Sequence, residues 1–497
     1  MSMTDWETVI GLEVHCELAT ETKLFCGCPN DFGAEPNTYV CPVCLGLPGS
    51  LPVLNERAVE FALRVGEALH CDVAEESIFH RKNYFYPDMP KNYQISQYDE
   101  PVCGNGWLAV PGPDGTARRI GVERAHLEED TGKTSHVGGG GGRIHGADHS
   151  LVDYNRAGVP LLEIVSKPDL RSSEEARSYV AELRGVLEAI GVSDVKMEEG
   201  SLRVDANISL RPPGSEKLGT RTEIKNMNSL RSLVRALEYE AERQAEVLEA
   251  GEAVIQETRH WDEEAGRTYA LRSKEESHDY RYFPEPDLVP VMPLAEWRDQ
   301  IRVGMPELPS ARKARLIDAW GISDVDAGVL VGTPGLADYA EAAVSAGSNG
   351  SGRDVANWVT GDLMAHLKET GAAPSELALN PAGLAELVKL VGDGTLSRHL
   401  AKEVLAAALA GEGGGSPAAI VAARGLAQVS DEGALAAAVQ AVLDAHPAEV
   451  DRYRTGEDKD RKKLRGFFMG KVMAEMKGRG NPQVLNRLLD EALPTNA

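Results

Sequence analysis

The chain has 497 residues, 26% of them charged, and a formal net charge of −25. That length supports about two to four domains and a large core. The acid excess excludes broad nucleic-acid affinity unless a local basic patch supplies it. No apolar run approaches the ~20 residues of a membrane span. The N-terminus, MSMTDWETVIGLEV, lacks the basic-then-apolar pattern of a signal peptide, so the expectation is a cytosolic protein. Seven cysteines all precede residue 104; an odd number in a reducing compartment disfavours disulfides.

Val9 to Leu18, V-I-G-L-E-V-H-C-E-L, alternates strictly. Ile10, Leu12, Val14, Cys16 and Leu18 share one face and Glu13, His15 and Glu17 the other, which predicts a strand with one buried side. Glu13 and His15 can aim two ligands at one cation, although this strand alone reads more simply as a solvated polar face. Cys26-Gly-Cys28 follows, then twelve residues, then Cys41-Pro-Val-Cys44. Thiolates spaced C-x-C and C-x-x-C close a tetrahedral zinc site, and Pro42 and Gly46 suit a tight knuckle. The rival is a redox pair at Cys41 and Cys44, but no thioredoxin-like βαβ pattern surrounds it. Four cysteine ligands leave no position for substrate, so the zinc would be structural. Cys16, Cys71 and Cys103 read as packing residues.

Asn55 to His70 predicts an amphipathic helix with Ala58, Phe61, Ala62, Val65 and Leu69 on one stripe. His80 to Tyr93 mixes basic, tyrosine and proline residues and reads as a site loop, with Lys82 and Lys91 available to anionic groups. Between Ile120 and Ser166, two strand-like arms flank a glycine-rich loop. In the first, Glu123, Ala125, Leu127 and Glu129 share a face. In the second, Glu163 stands alone in V-P-L-L-E-I-V. Such a carboxylate needs a cation, donors or a raised pKa, unless it faces water from an edge strand. Gly132-Lys133-Thr134 mimics the end of a phosphate-binding P-loop, but Leu127 stands where that motif needs glycine and no helix follows. Gly138 to Gly142 reads as a flexible insertion.

Ser172-Ser-Glu-Glu175 is a capping-box sequence whose helix stops at Gly191. From Arg203 to Leu210 the alternation is clean: Arg203, Asp205, Asn207 and Ser209 lie on one face, apolar residues on the other. Thr222 to Asn228 is a short polar strand leading into a charged helix that runs to about Ala250. Glu13/His15, Glu129, Glu163 and Asp205/Asn207 thus decorate strands that are otherwise apolar. Together they predict a curved antiparallel sheet whose polar face holds cations and a phosphate compound. Hard oxygen donors favour magnesium, and His15 admits manganese. After about Pro293 short alanine- and leucine-rich helices take over, and Gly411 to Pro417 reads as a linker. Beyond it, Arg452 to Arg479 holds ten Lys/Arg and four Asp/Glu, net +6: a basic patch for nucleic acid, or a solvated helix face. The fold class is α+β: a cradle over 1–293, an all-α helical domain over 294–411 and a small all-α tail over 412–497.

Five segments carry a family likeness: Val9–Cys16, Tyr84–Gln97 (Y-F-Y-P-D-M-P-K-N-Y-Q-I-S-Q), Asp153–Lys167 (D-Y-N-R-A-G-V-P-L-L-E-I-V-S-K), Val195–Leu210 and Asp279–Val291 (D-Y-R-Y-F-P-E-P-D-L-V-P-V). Through them the chain closely resembles the B subunits of the glutamyl/aspartyl-tRNA amidotransferases over almost its whole length. Val137 to about Ala147 stands out as an insertion. The resemblance implies a cradle related in fold to the catalytic domain of glutamine synthetase, then a helical domain and a tRNA-binding tail. It implies a carbon–nitrogen ligase. ATP phosphorylates the side-chain carboxylate of glutamate mischarged on tRNA(Gln), or aspartate on tRNA(Asn), and ammonia displaces the phosphate. The A subunit, an amidase (glutaminase), makes the ammonia from glutamine and passes it through a channel; a small C subunit completes a heterotrimer. Carried over by motif, Glu13, His15, Glu129 and Glu163 are the magnesium ligands, with Glu128 the alternative to Glu129. Lys82, Lys91 and Asp205 match ammonia-handling catalytic positions, and Cys26, Cys28, Cys41 and Cys44 match a zinc knuckle that some members carry. Lys462, Lys463, Arg465, Lys471, Lys477 and Arg479 are the tail cations expected to meet tRNA. The competing class is a non-enzymatic zinc- and tRNA-binding scaffold that recruits the amidase; the internal acids Glu163 and Asp205 suit only the enzyme.

Overall fold

The computed structural model of the chain describes residues 6–112, 116–138, 146–273, 280–347, 352–429, 431–476 and 478–493. They fall into two compact units, Met1–Pro309 and Ser310–Ala497. Among the described residues, no helix is long and apolar enough to cross a membrane.

The first unit is built on one large sheet. In chain order its elements are β1 (Glu7–Glu17), α1 (Glu56–Ala68), β2 (Asp72–Val73), β3 (Phe79–Asn83), β4 (Tyr93–Gln97), β5 (Cys103–Pro111), β6 (Ala117–Glu129), β7 (Lys133–Val137) and β8 (His149–Asp153). Then come β9 (Pro160–Ser166), α2 (Ser173–Ala189), β10 (Leu202–Arg211), β11 (Thr222–Met227), α3 (Leu230–Glu249), β12 (Glu257–Asp262), β13 (Arg267–Ser273), β14 (Phe283–Pro284) and α4 (Ala295–Val303). The twelve-stranded sheet has the order β13-β12-β11-β10-β1-β9-β6-β4-β3-β14, with β5 on β6 and β2 on β5. Its pairings are antiparallel except β11 with β12. That pair is parallel because α3 crosses over between the two strands. The sheet is therefore mixed, a correction to the expected antiparallel one. β7 and β8 pair with each other, so the Gly-Lys-Thr run leads into a strand and not a phosphate-binding helix. Of the expected glycine-rich insertion, residues 139–145 lie outside the described residues.

Alternation in β1 does what its composition demands. Ile10, Leu12, Val14 and Cys16 are buried in one core with the inner stripes of α1, α2 and α3. Asn55 caps α1, its side chain accepting from Arg57 N at 2.9 Å, and Ser172 caps α2, accepting from Glu175 N at 3.1 Å. Gly191 (φ 69°) follows the end of α2, in the left-handed conformation that glycine adopts without strain. The helices leave the opposite face of the sheet to polar side chains. β9 runs between β1 and β6, so Glu163 is on an interior strand and not an edge.

The second unit is helical and gathers around two apolar clusters, one from Leu316 to Val421 and one from Leu435 to Leu493. Gly411–Pro417, expected as a linker, is folded into the first. Glu386 Oε2 accepts from Ser416 Oγ at 2.9 Å and Ala418 N at 3.0 Å, and Ile420 and Val421 are buried beyond it. Positive φ at Gly413, Gly414 and Gly415 makes the tight turn. The change of core thus falls after Val421 and not at residue 411.

One buried carboxylate ties α3 to the sheet. Glu240 is fully buried and is held by Arg243 Nη2 at 2.5 Å, Arg259 Nε at 3.5 Å and Thr268 Oγ1 at 3.1 Å. Replacing it with Ala removes the buried acceptor that Arg243, Arg259 and Thr268 share and should cost about 3 kcal/mol. Urea unfolding followed through buried Trp261 reads this directly, and Glu240→Gln, which keeps an acceptor, should lose less. Coincident midpoints for the Ala variant and wild type would show that the cluster contributes nothing.

Candidate active site

The polar face is assembled by register. His15 stands opposite Glu163 across β1 and β9, and Glu163 opposite His126 across β9 and β6. Two residues along β6, Glu128 joins them. His126 Nε2 lies 3.5 Å from Glu163 Oε2 and 3.8 Å from Glu128 Oε2, and His15 Nε2 lies 3.6 Å from Glu163 Oε2. One ligand atom each from His15, Glu128 and Glu163 falls within 4.8 Å of the others. Ser96 Oγ donates to Glu128 at 3.1 Å, and Arg124 Nη2 is 4.0 Å from Glu163. Burial works to raise the Glu163 pKa, but His126, His15 and Lys82 hold it well below the carboxylate range. For Glu128, burial is likewise outweighed, chiefly by His126 and Lys82. His15 is raised because Glu163 outweighs the burial that disfavours its charge. His126 Nδ1 is buried without a hydrogen-bond partner. Two ionised oxygens and an imidazole within one small space are a donor set that suits a divalent cation.

This arrangement sorts the expected acids. The member of the Glu128–Glu129 pair that joins the cluster is Glu128. Successive side chains on β6 point to opposite faces, so Glu129 projects with core residues Ala125 and Leu127. There it accepts from Lys91 Nζ and from Ile95 N at 2.8 Å. Lys91 is thus drawn to Glu129 and away from the cluster. Glu13 is on the right face but apart from the three ligands: Asn207 Nδ2 donates to it at 2.9 Å. Burial, then Glu163 and Glu223, raise its pKa.

Cations line both flanks. Lys82 on β3 is half-buried, its Nζ 4.9 Å from the centre of the Tyr280 ring. Burial disfavours its charge, but Glu128, Tyr282, Tyr280 and Glu163 raise its pKa. On the other flank Asp205, directly opposite Glu13, binds Lys225 Nζ at 2.6 Å, and Lys225 also meets Glu223 at 3.1 Å. Beyond His15, Arg203 donates to Asp130 at 2.6 Å, and burial together with Asp130 pushes Glu17 up to about 8. A cleft of about 450 Å³ opens beside Glu13, lined by Gly11, Ser166, Asn207, Thr220 and Arg221 among others. His126, Glu128, Lys225 and Glu223 were not among the acids and cations singled out from sequence, apart from Glu128 as an alternative. Alternation in β6 could have found the first two. Ala125 and Leu127 are apolar, so their face is the core face and His126 and Glu128 must lie on the polar one.

The four cysteines Cys26, Cys28, Cys41 and Cys44 bring their Sγ atoms within 4.8 Å of one another, spacing suited to a tetrahedral thiolate site. Cys44 is drawn down to about 5 by the hydrogen bond from Cys26, against burial, with help from Cys41 N and Lys23. All seven cysteines are free thiols; of the three expected as packing residues, Cys16 and Cys103 are buried and Cys71 is half-buried against the same core. Lys23, itself buried, donates to Tyr39 O at 2.8 Å, Ala157 O at 2.7 Å and Tyr154 O at 3.3 Å, stitching the cysteine loop to the segment before β9.

In the tail, Lys462, Lys463 and Lys471 are exposed on the helix Asp458–Glu475. Arg465 is engaged by both carboxylate oxygens of Asp490 at 2.8 Å, and Arg479 donates to Gly425 O at 3.1 Å. Lys477 lies outside the described residues.

Comparison with known proteins agrees with this division. Residues 8–299 match the family model described as the GatB/GatE catalytic domain, and residues 338–493 match that described as the GatB domain. A relative from Brevibacillus brevis is 49% identical over 491 residues, 99% of this chain and 99% of the relative. One from Frankia casuarinae is 53% identical over 493 residues, 98% of this chain and 96% of the relative. Both are named as the B subunit of an aspartyl/glutamyl-tRNA(Asn/Gln) amidotransferase. The chain belongs to the family of B subunits of the aspartyl/glutamyl-tRNA(Asn/Gln) amidotransferases.

Proposed function

We propose that the polar face of the sheet is the site where ATP activates the side-chain carboxylate of glutamate on tRNA(Gln), or aspartate on tRNA(Asn), for amidation by ammonia. The observation that carries this is the convergence of His15, Glu128 and Glu163 on the sheet face that also carries Glu13, between Lys82 on one flank and Lys225 on the other. A carboxylate is a poor electrophile until it bears a leaving group. Phosphoryl transfer needs positioning and charge neutralisation more than covalent chemistry from the protein. A magnesium ion held by His15, Glu128 and Glu163 would supply that neutralisation. Lys82 offers a charged ammonium to the anionic substrate. Asp205, held in place by Lys225, and Glu129, paired with Lys91, are the carboxylates available to bind ammonium and accept the proton it must lose before attack. The nucleotide is assigned to the cleft beside Glu13. In this reading a partner amidase supplies ammonia, the complex includes a small third subunit, and the cytoplasm is its compartment. The cradle shares the catalytic fold of glutamine synthetase, and the tail meets tRNA. A recruiting scaffold would have no use for two acids and an imidazole converging on one small space.

Glu128→Gln and Glu163→Gln should each lower amide formation by about two to three orders of magnitude while the partner's glutamine hydrolysis persists. Transamidation at wild-type rate in either variant would remove that residue from the site. Metal analysis of the purified chain should give close to one zinc, and Cys41→Ser should lower thermal stability, as expected of a structural site; a metal-free protein melting unchanged would refute the zinc assignment. Replacing Lys462, Lys463 and Lys471 with Gln should weaken tRNA binding and flatten its salt dependence by about 0.7–0.9 in log–log slope per lost phosphate contact. An unaltered slope would mean that these lysines only face solvent.

A further inference from the structure

The cysteine knuckle and the Lys91–Glu129 pair touch. Cys41 to Leu47 folds tightly on itself, with Leu45 N donating to Cys41 O at 3.1 Å, Gly46 N to Val43 O at 3.0 Å and Leu47 N to Pro42 O at 2.8 Å. Gly46, at φ 65°, therefore moves only with Cys41 and Cys44. A Cβ at Gly46 would lie 2.3 Å from Lys91 Cγ, 3.0 Å from its Cβ and 3.2 Å from its Cα. The backbone of the knuckle is thus seated against the base of the Lys91 side chain, a contact that only glycine permits. The far end of that stem is committed as well. Lys91 Nζ pairs with Glu129, and the side chains of both are almost wholly buried. Glu129 in turn accepts from Ile95 N, and its backbone carbonyl accepts from Gln94 Nε2 at 2.7 Å. On the knuckle's other side, a Cβ at Gly158 would lie 3.5 Å from both Cys44 Cβ and Lys23 Cδ and 3.9 Å from Glu129 Oε2. Between these parts is a pocket of about 210 Å³, whose lining includes Cys26, Cys44, Gly46, Lys91, Tyr93 and Glu129. The neighbour of Glu129 on β6 is Glu128, in the metal-suited cluster on the opposite face.

We propose that the four-cysteine knuckle, acting through Gly46, braces the Lys91–Glu129 pair, so that closing the cysteines on a metal sets the position of Lys91 and the shape of the pocket beneath it. The knuckle is then a positioning element of nitrogen delivery and not a remote staple. This rests on the assignment of Lys91 and Glu129 to the ammonia path. No cysteine is asked to touch the reacting atoms. Gly46 fixes the stem of Lys91, the stem fixes the ammonium, and the ammonium fixes the Glu129 carboxylate. Because the contact is mutual, the linkage runs both ways: a change at Lys91 must be felt by the metal-holding loop.

That reciprocity supplies a test independent of catalysis. In the complex with its partner subunits, transfer of zinc from the protein to excess chromogenic chelator is timed for wild type and Lys91→Ala. Loss of the stem should speed release by about fivefold or more; an unchanged release rate overturns the proposal. The second arm uses Gly46→Ala with its zinc content verified, comparing amide formed from glutamine with amide formed from ammonium chloride at matched ATP and misacylated tRNA. Product from glutamine should fall about tenfold or more while product from ammonium chloride is kept. Equal loss with both donors, or no loss with either, overturns it. Should Gly46→Ala fail to fold, the Lys91→Ala release rate still decides. Were wild type to form no amide from either donor, the functional assignment would fail, and the release rates would still test the mechanical coupling.

Discussion

Everything on the polar face depends on the register of β1 between its two neighbours. Side chains on a strand alternate, so a slip of one residue would turn Glu13, His15 and Glu17 into the core and Leu12, Val14 and Cys16 out of it. The buried side forbids that slip. Pairing with β10 then sets Asp205 opposite Glu13, and pairing with β9 sets Glu163 opposite His15. Apolar packing on one face is thus what positions charge on the other. The helices α1, α2 and α3 take part in the chemistry only in that sense.

The charges so positioned could not stand as acids alone. Glu13, Glu128, Glu163, Asp205 and Glu223 occupy adjacent strands, and like charges gathered on a partly dry surface raise one another's pKa. The chain interleaves Lys82, Arg124, Lys225 and Arg203 among them. The result is uneven. Glu163 and Glu128 are held ionised, whereas Glu13, with only Lys225 and Asn207 to help, is raised. Ionised oxygens collect where a cation can be shared, and the more readily protonated carboxyl borders the cleft.

Much of this was legible in the residues. The alternation of β1 and β10, the caps at Asn55 and Ser172, the cysteine spacing and the isolation of Glu163 each state a local constraint that tertiary structure had no reason to override. Three features were not. Choosing between Glu128 and Glu129 requires knowing which face of β6 is the core. The apolar side chains of Ala125 and Leu127 held that information, but it is decisive only once α1 is seen to cover them. Composition misled at Gly411–Pro417, because glycines that let a chain wander also let it turn sharply, and Glu386 and buried Ile420 hold the turn in place. The parallel pairing of β11 with β12 was hidden for a third reason: strand direction is a property of the connection, here α3, and not of the strands.

The central place of β1 also bears on how the chain is made. Leu12 N bonds to Ser166 Oγ and Arg211 Nε bonds to Glu7, across 154 and 204 residues. Synthesis runs at about 5–20 residues per second, so this apolar strand waits roughly ten to forty seconds beyond the ribosome before both neighbours exist. Part of its apolar face can be covered once α1 is made, and one edge once β9 is made, but the edge that pairs with β10 has no native partner until the end of that interval. The strand that organises the finished site is therefore also open to mispairing in the nascent chain, and a holdase that shields the first twenty residues would protect that edge.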